Sequence, residues 1–162
     1  MAEILSILEK DKRPKALNTS ALGSRGENLA CEFLINDGYQ IVMRNFKVPV
    51  GRNSKGVQVT GEIDIVAIDQ DTLCFVEVKT RRSDAFTSLT TNVDRRKQRQ
   101  ITRTARIYRQ IFGLWEMPHH FDVVTVLMPK HADRKIELLR GFWDEAKFSK
   151  RRWEAGERRY FV

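Results

Sequence analysis

Gly61-Glu62-Ile63-Asp64-Ile65-Val66-Ala67-Ile68-Asp69-Gln70-Asp71-Thr72-Leu73-Cys74-Phe75-Val76-Glu77-Val78-Lys79 decides the fold, because two short apolar runs flank a polar break of turn-favouring residues. The pattern predicts a β-hairpin. Symmetric antiparallel pairing sets Ile68 opposite Leu73, Val66 opposite Phe75, Asp64 opposite Glu77 and Glu62 opposite Lys79. Side chains alternate along a strand, so these eight residues share one face, apolar beside the turn and ionisable at the far end. The other face carries Ile63, Ile65, Ala67, Cys74, Val76 and Val78. Strands this apolar belong in the middle of a covered sheet. The charges then lie where the cover opens.

Directly opposed side chains have Cβ atoms about 4.5 to 5.5 Å apart, so two ionised carboxylates at Asp64 and Glu77 repel each other. A raised pKa on one carboxyl offsets that repulsion; so does a divalent cation that takes oxygen from both. The cation leads to chemistry. Bound to carboxylates, it lowers the pKa of a coordinated water and neutralises charge developing on a phosphate. Lys79, on the same face, is placed to orient that water or the scissile phosphate, and the main-chain carbonyl of Val78 is a further candidate ligand. The plainer alternative is a Glu62–Lys79 cross-strand salt bridge, with Asp64 and Glu77 merely polar residues at the sheet margin.

Two amphipathic helices frame the hairpin. From Ser20 to Asp37, Leu22, Leu29, Ala30 and Phe33 fall on one side together with Gly26, and Gly38 supplies a stop. Glu27 lies at the border of that stripe, in reach of the sheet edge or else in solvent. From Asp94 to Trp115, Ile101, Ala105, Tyr108, Ile111, Phe112 and Trp115 form an apolar side opposite Arg95, Arg96, Arg99, Arg103, Arg106 and Arg109. Lys97 shares the apolar side one turn before Ile101, so it points toward the sheet; with Gln98 it is a candidate contact to substrate phosphate. The arginines suit phosphate oxygens or form a solvated face.

The bulk properties bound the partners. The 162 residues with 41% hydrophobic content support one domain with its own core. Lys plus Arg outnumber Asp plus Glu by 29 to 21, giving a net charge of +8, which favours a polyanionic partner. Cys31 and Cys74 have neither zinc-ligand nor disulfide spacing, which fits a reducing cytoplasm. His119, His120 and His131 likewise show no metal-ligand spacing with a carboxylate or cysteine. Residues 1–8 are too short and acidic for a secretory segment, and no apolar run could cross a bilayer. Residues 1–19 read as a flexible lead-in, 20–145 as the domain, and 146–162 as a basic, aromatic tail. Residues 47–60 read as a protruding hairpin bearing Lys47, Arg52 and Lys55. Residues 80–92 read as an open loop carrying Arg81 and Arg82 over the site.

Gly26-Glu27, Arg44-Asn45-Phe46, Gly61 to Ala67, Phe75 to Arg81 and Phe121-Asp122-Val123-Val124, in this order and spacing, resemble the YraN family of bacterial proteins. That family is similar to Holliday-junction resolvases and other PD-(D/E)xK nucleases. The resemblance covers about residues 20 to 140 and rests on five separated motifs. It implies a restriction-endonuclease-like α/β fold, with Asp64, Glu77 and Lys79 at the PD-(D/E)xK positions and Glu27 as the first-helix glutamate. Glu62 belongs to the pattern without an obvious role. The loop before Gly61 is longer than expected, and Thr87 stands where a glycine is usual.

The expectation is a central mixed sheet of residues 39–46, 62–68, 73–79, 121–127 and 136–139, packed between the two helices. The expected activity is Mg²⁺- or Mn²⁺-dependent phosphodiester hydrolysis on nucleic acid, DNA before RNA and branched DNA among the candidates. Asp64, Glu77 and Val78 would hold metal, Lys79 and Glu27 assist, and Arg81, Lys97, Gln98, Arg99 and Arg103 contact nucleic acid. The alternative is a nucleic-acid-binding module without turnover; a third reading is an adaptor whose basic helix meets an acidic protein. Monomer and homodimer are both open.

Overall fold

The computed structural model describes residues 19–82 and 93–148. The expected lead-in, most of the loop after Arg82, Thr87 and most of the basic tail lie outside the described residues. Helix α1 (Thr19–Asn36) is followed by strands β1 (Gln40–Arg52), β2 (Gln58–Asp69) and β3 (Thr72–Arg81), helix α2 (Arg95–Ile111), strands β4 (His119–Leu127) and β5 (Lys135–Trp143), and a short 3₁₀ turn (Glu145–Phe148). The five strands form one sheet in the order β1-β2-β3-β4-β5, with β3 and β4 parallel and every other pair antiparallel. This is a mixed α/β architecture, with α2 forming the crossover that a parallel pair requires.

Local signals account for the element ends. Gly38 takes φ +93°, a left-handed conformation that costs glycine little. There the Tyr39 amide donates to the Leu34 carbonyl at 2.9 Å, closing α1. The Asp94 side chain accepts the Lys97 amide at 2.8 Å, an N-cap that starts α2. The stretch expected as a protruding hairpin is one, formed by the outer half of the β1–β2 pair, which runs to Arg52 and back from Gln58 with a register shift between Pro49 and Gly51. Asn53 closes its turn by accepting from the amides of Lys55 and Val57, each at 2.9 Å.

The core lies on both sheet faces. On one, Ala30, Cys31 and Leu34 of α1 cover Ile65, Ala67, Cys74, Val76, Val124 and Val126. On the other, Ile101, Ala105 and Tyr108 of α2 cover Val66, Leu73, Phe75, Phe121 and Val123. Ile63 corrects the sequence expectation: it packs on the α2 face, not with Ile65 and Ala67. Residues two apart on a regular strand share a face, so alternation breaks at Asp64. The facing strand breaks with it. Phe46, paired with Ile63, packs on the α2 face, whereas Arg44, paired with Ile65, reaches α1. Between them Asn45 has φ +52°, a left-handed conformation that asparagine tolerates better than most residues.

The matched break is what turns Asp64 out of the regular face pattern, and it depends on Asn45. Replacing Asn45 by Gly keeps the left-handed backbone accessible, whereas Val does not. Asn45→Val is expected to lower unfolding free energy by about 1–3 kcal/mol relative to Asn45→Gly, measured by chemical denaturation; equal stabilities would show that the kink is unstrained.

Candidate metal centre and nucleic-acid interface

The β2–β3 register is the one deduced from parity, with Ile68 opposite Leu73 and Val66 opposite Phe75. The ladder stops at Ile65–Val76, before the Asp64–Glu77 pair is reached. Beyond that point the Val78 amide donates to Asp64 Oδ2 at 2.8 Å. A side-chain carboxylate stands where a main-chain carbonyl would continue the ladder. Asp64 is thereby held beside the residue that follows Glu77.

Glu77 projects to the α2 face and is 2% exposed. Two ammonium groups serve it. Lys79 Nζ donates to Oε1 at 2.7 Å, and Lys97 Nζ from the first turn of α2 forms an ion pair with Oε2 at 3.2 Å. That second contact lacks hydrogen-bond angles, so Oε2 is a buried acceptor without a donor. Burial first, and then the charge of Glu77, push the Asp64 carboxyl up to about 7, against the Val78 amide and Lys97. Lys97 is raised: burial acts to lower it, but the charges of Glu77 and Asp64 outweigh burial.

Glu27 approaches from the α1 face, where the geometry is set by a close contact. A Cβ on Gly26 would lie 1.8 Å from Thr80 Oγ1, so only glycine lets α1 come this near the end of β3. Glu27 contributes to the raised pKa of Asp64 and faces Arg44 at 3.9 Å. It does not join Asp64 and Glu77 in a tight three-carboxylate group. Among the described residues, the group of three metal-ligating side chains that does converge is Cys74, His120 and Asp122.

Other sequence-predicted residues occupy distinct places. Glu62 pairs with Lys47 of β1 at 3.3 Å rather than with Lys79, because the β2–β3 ladder has already ended. Val78 supplies its amide to Asp64. Gln98 is turned inward, donating to the Val93 carbonyl at 2.7 Å and accepting from Lys147 at 3.1 Å. Arg81 is half-buried at the end of β3, while Arg99 and Arg103 are exposed on α2. Arg109 corrects the picture of six outward arginines. It is buried, with its guanidinium donating to the carbonyl of Trp115 at 2.8 Å and to Glu145 at 3.2 Å. The chain turns back after α2 through Gly113, at φ +66°, which brings the Trp115 carbonyl over it, while Glu145 comes from the 3₁₀ turn after β5. Arg106 is likewise tied to Glu145.

Arg96, Arg99 and Arg103 face Arg52 of the β1–β2 hairpin across a cleft of about 260 Å³. The Gln100 side chain donates to the Thr60 carbonyl at 2.8 Å, fastening helix to hairpin beneath the cleft. A Cβ on Gly61 would lie 2.0 Å from Thr104 Oγ1, so glycine permits that approach too. Four arginines, Arg52, Arg96, Arg99 and Arg103, make the lining of this cleft basic. The hairpin's share in it was legible from its basic residues; its docking against α2 was not.

The fold and the site together define a mixed α/β domain with one half-buried carboxylate, Asp64, and one buried carboxylate, Glu77, where the pairing of two central strands ends. The chain belongs to UPF0102, the YraN family, described as an uncharacterised protein family, whose profile matches residues 26–126. A UPF0102 protein of Desulfosudis oleivorans is 41% identical over 122 residues, covering 75% of this chain and 89% of that protein. One from Chlorobium chlorochromatii is 42% identical over 134 residues, covering 79% and 95%. A solved structure titled "Crystal structure of SSO0001" superposes with a TM-score of 0.36 at 16% identity, covering 80% of this chain and 55% of that one, a likeness too slight to bear on the fold.

The raised Asp64 carboxyl carries a pH signature. A carboxyl whose pKa is higher folded than unfolded contributes most to stability when protonated in both states. That contribution is lost as pH rises from the ordinary carboxylate range through about 7. Asp64→Asn keeps an acceptor for the Val78 amide but cannot ionise. In chelator, the variant is expected to match the native chain near about pH 4 and to exceed its stability by about 1–3 kcal/mol near about pH 8, followed by thermal unfolding; parallel profiles would contradict the shift.

Proposed function

We propose that this protein is a PD-(D/E)xK-type nuclease that hydrolyses phosphodiester bonds in nucleic acid with Mg²⁺ or Mn²⁺, with branched DNA among its substrates. The observation that carries the proposal is a pair of carboxylates from adjacent strands, Asp64 half-buried and Glu77 buried with an oxygen that lacks a hydrogen-bond donor; an arginine-lined cleft between the β1–β2 hairpin and α2 adds a surface for phosphates. Carboxylate oxygens are the donors that hard divalent cations prefer, and Asp64 and Glu77 would hold the ion. When bound, it would supply a water of lowered pKa and neutralise charge on the scissile phosphate.

The chain's own residues have separate tasks. Asp64 is fixed by the Val78 amide and offers its second oxygen to the site. Glu77 is held by two lysines. Lys79 would position the attacking water and Lys97 would meet the phosphate, each from its place beside Glu77. Glu27 supports the α1 side. Arg52, Arg96, Arg99 and Arg103 grip backbone phosphates in the cleft, a contact class that positions nucleic acid without reading sequence. Arg81 extends the basic surface.

A second reading, binding without turnover, draws on the two ammonium groups already compensating Glu77. The two differ in assay. Full-length protein should cleave branched or single-stranded DNA in Mg²⁺ or Mn²⁺. Asp64→Ala or Glu77→Gln should lower the rate at least about 100-fold while leaving DNA affinity in chelator within a factor of a few. Equal cleavage by native protein and variants would refute the assignment, and tight binding with no cleavage by native protein would favour the second reading.

The cleft is tested separately. Arg99→Gln combined with Arg103→Gln should weaken DNA binding and reduce the slope of log affinity against log salt by about two, measured by fluorescence anisotropy; an unchanged slope would place the phosphate contacts elsewhere.

A further inference from the structure

A second chemical cluster lies on the opposite, α1 face of the sheet. Parallel pairing of β3 with β4 sets Cys74 beside His120, and Asp122 follows two residues later on the same face. Cys74 Sγ is 3.6 Å from His120 Nε2, and His120 Nδ1 is 2.7 Å from Asp122 Oδ1. The Gly141 amide also donates to Asp122 Oδ1, at 2.8 Å. One ligand atom from each of the three residues lies within 4.8 Å of the others. Sequence spacing hid the group, since Cys74 and His120 are 46 residues apart.

Two buried polar atoms in this neighbourhood lack partners: Asp122 Oδ2, on a side chain with no exposure, and the Tyr39 hydroxyl. Tyr39, Cys74 and Asp122 interact electrostatically with one another. An unpaired buried carboxylate oxygen is costly and calls for a donor or a cation. His120, 29% exposed at its side chain, opens the cluster toward solvent.

We infer that Cys74, His120 and Asp122 form a second metal site, selective for Zn²⁺ or a similar borderline cation and separate from the carboxylate pair. The donor set decides the class: thiolate and imidazole favour zinc over magnesium. The 3.6 Å separation of sulfur and nitrogen is close to what two tetrahedral zinc ligands span, given bonds of about 2.3 and 2.0 Å. Charge also balances, because one thiolate and one carboxylate neutralise a divalent ion in a buried place. On binding, the Cys74 thiol loses its proton to solvent and the sulfur bonds to the metal; no electrons are exchanged. Asp122 serves as ligand or as the carboxylate that orients a metal-bound imidazole. Because the cluster joins β3, β4 and the bend of β5 at Gly141, the ion would clamp the sheet from the face opposite the proposed nuclease site.

Cobalt(II) titration of the full chain tests this, since a cobalt–thiolate bond gives a near-ultraviolet charge-transfer band that oxygen ligands do not. The expected result is a band saturating at one equivalent, displaced by Zn²⁺, retained in Glu77→Gln and in Cys31→Ser, and lost in Cys74→Ser. His120→Gln, at a partly exposed position, should weaken binding at least about tenfold with the fold intact. Absence of the band in the native chain, or its persistence in Cys74→Ser, would overturn the site. Neither outcome bears on nucleolytic activity, which is read by DNA cleavage.

Discussion

The hydrogen bond from the Val78 amide to Asp64 Oδ2 is the contact on which the site depends. It replaces main-chain pairing at the point where β2 and β3 part, so it satisfies a half-buried amide and fixes a carboxylate at once. An ordinary rung there would keep the sheet regular and carry Asp64 along the α2 face. The break needs a compensating irregularity in the neighbouring strand, and Asn45 supplies it with a left-handed backbone. Two strands therefore depart from regular alternation together, and a half-buried carboxyl, its charged form disfavoured by burial and by Glu77, is held at the end of the ladder.

Holding that charge takes both helices. From one face, α2 delivers Lys97 to Glu77; from the other, α1 comes close enough through Gly26 for the charge of Glu27, which faces Arg44 of β1, to act on Asp64. Among the described residues, lysines are the charge partners of Glu77, while Asp64 has an amide and a raised pKa. An arginine-lined cleft lies between the hairpin and α2. No described helix is long and apolar enough to cross a membrane.

Much of this was legible in the sequence, and for identifiable reasons. Apolar parity around a polar break fixed the β2–β3 register, and the helical wheel correctly turned Lys97 toward the sheet. The same parity rule misplaced Ile63, because it assumes regular alternation and the kink at Asn45 and Asp64 interrupts it. Arg109 looked solvent-facing because a wheel ignores the chain that returns over the helix end. Gln98 lies inward for a similar reason: its partners, Val93 and Lys147, come from segments outside α2. His120 and Asp122 stand two apart on one strand face, a local signal that the reading of the histidines passed over; Cys74 joins them only through the parallel β3–β4 register, which depends on the course of α2.

The claim that Asp64 and Glu77 jointly grip one ion is tested most directly by calorimetric titration of the full chain with Mg²⁺, comparing native protein with Glu77→Gln. The account predicts one saturable Mg²⁺ in the native chain and none in the variant. Equal heats in both proteins, or none in the native chain, would contradict it.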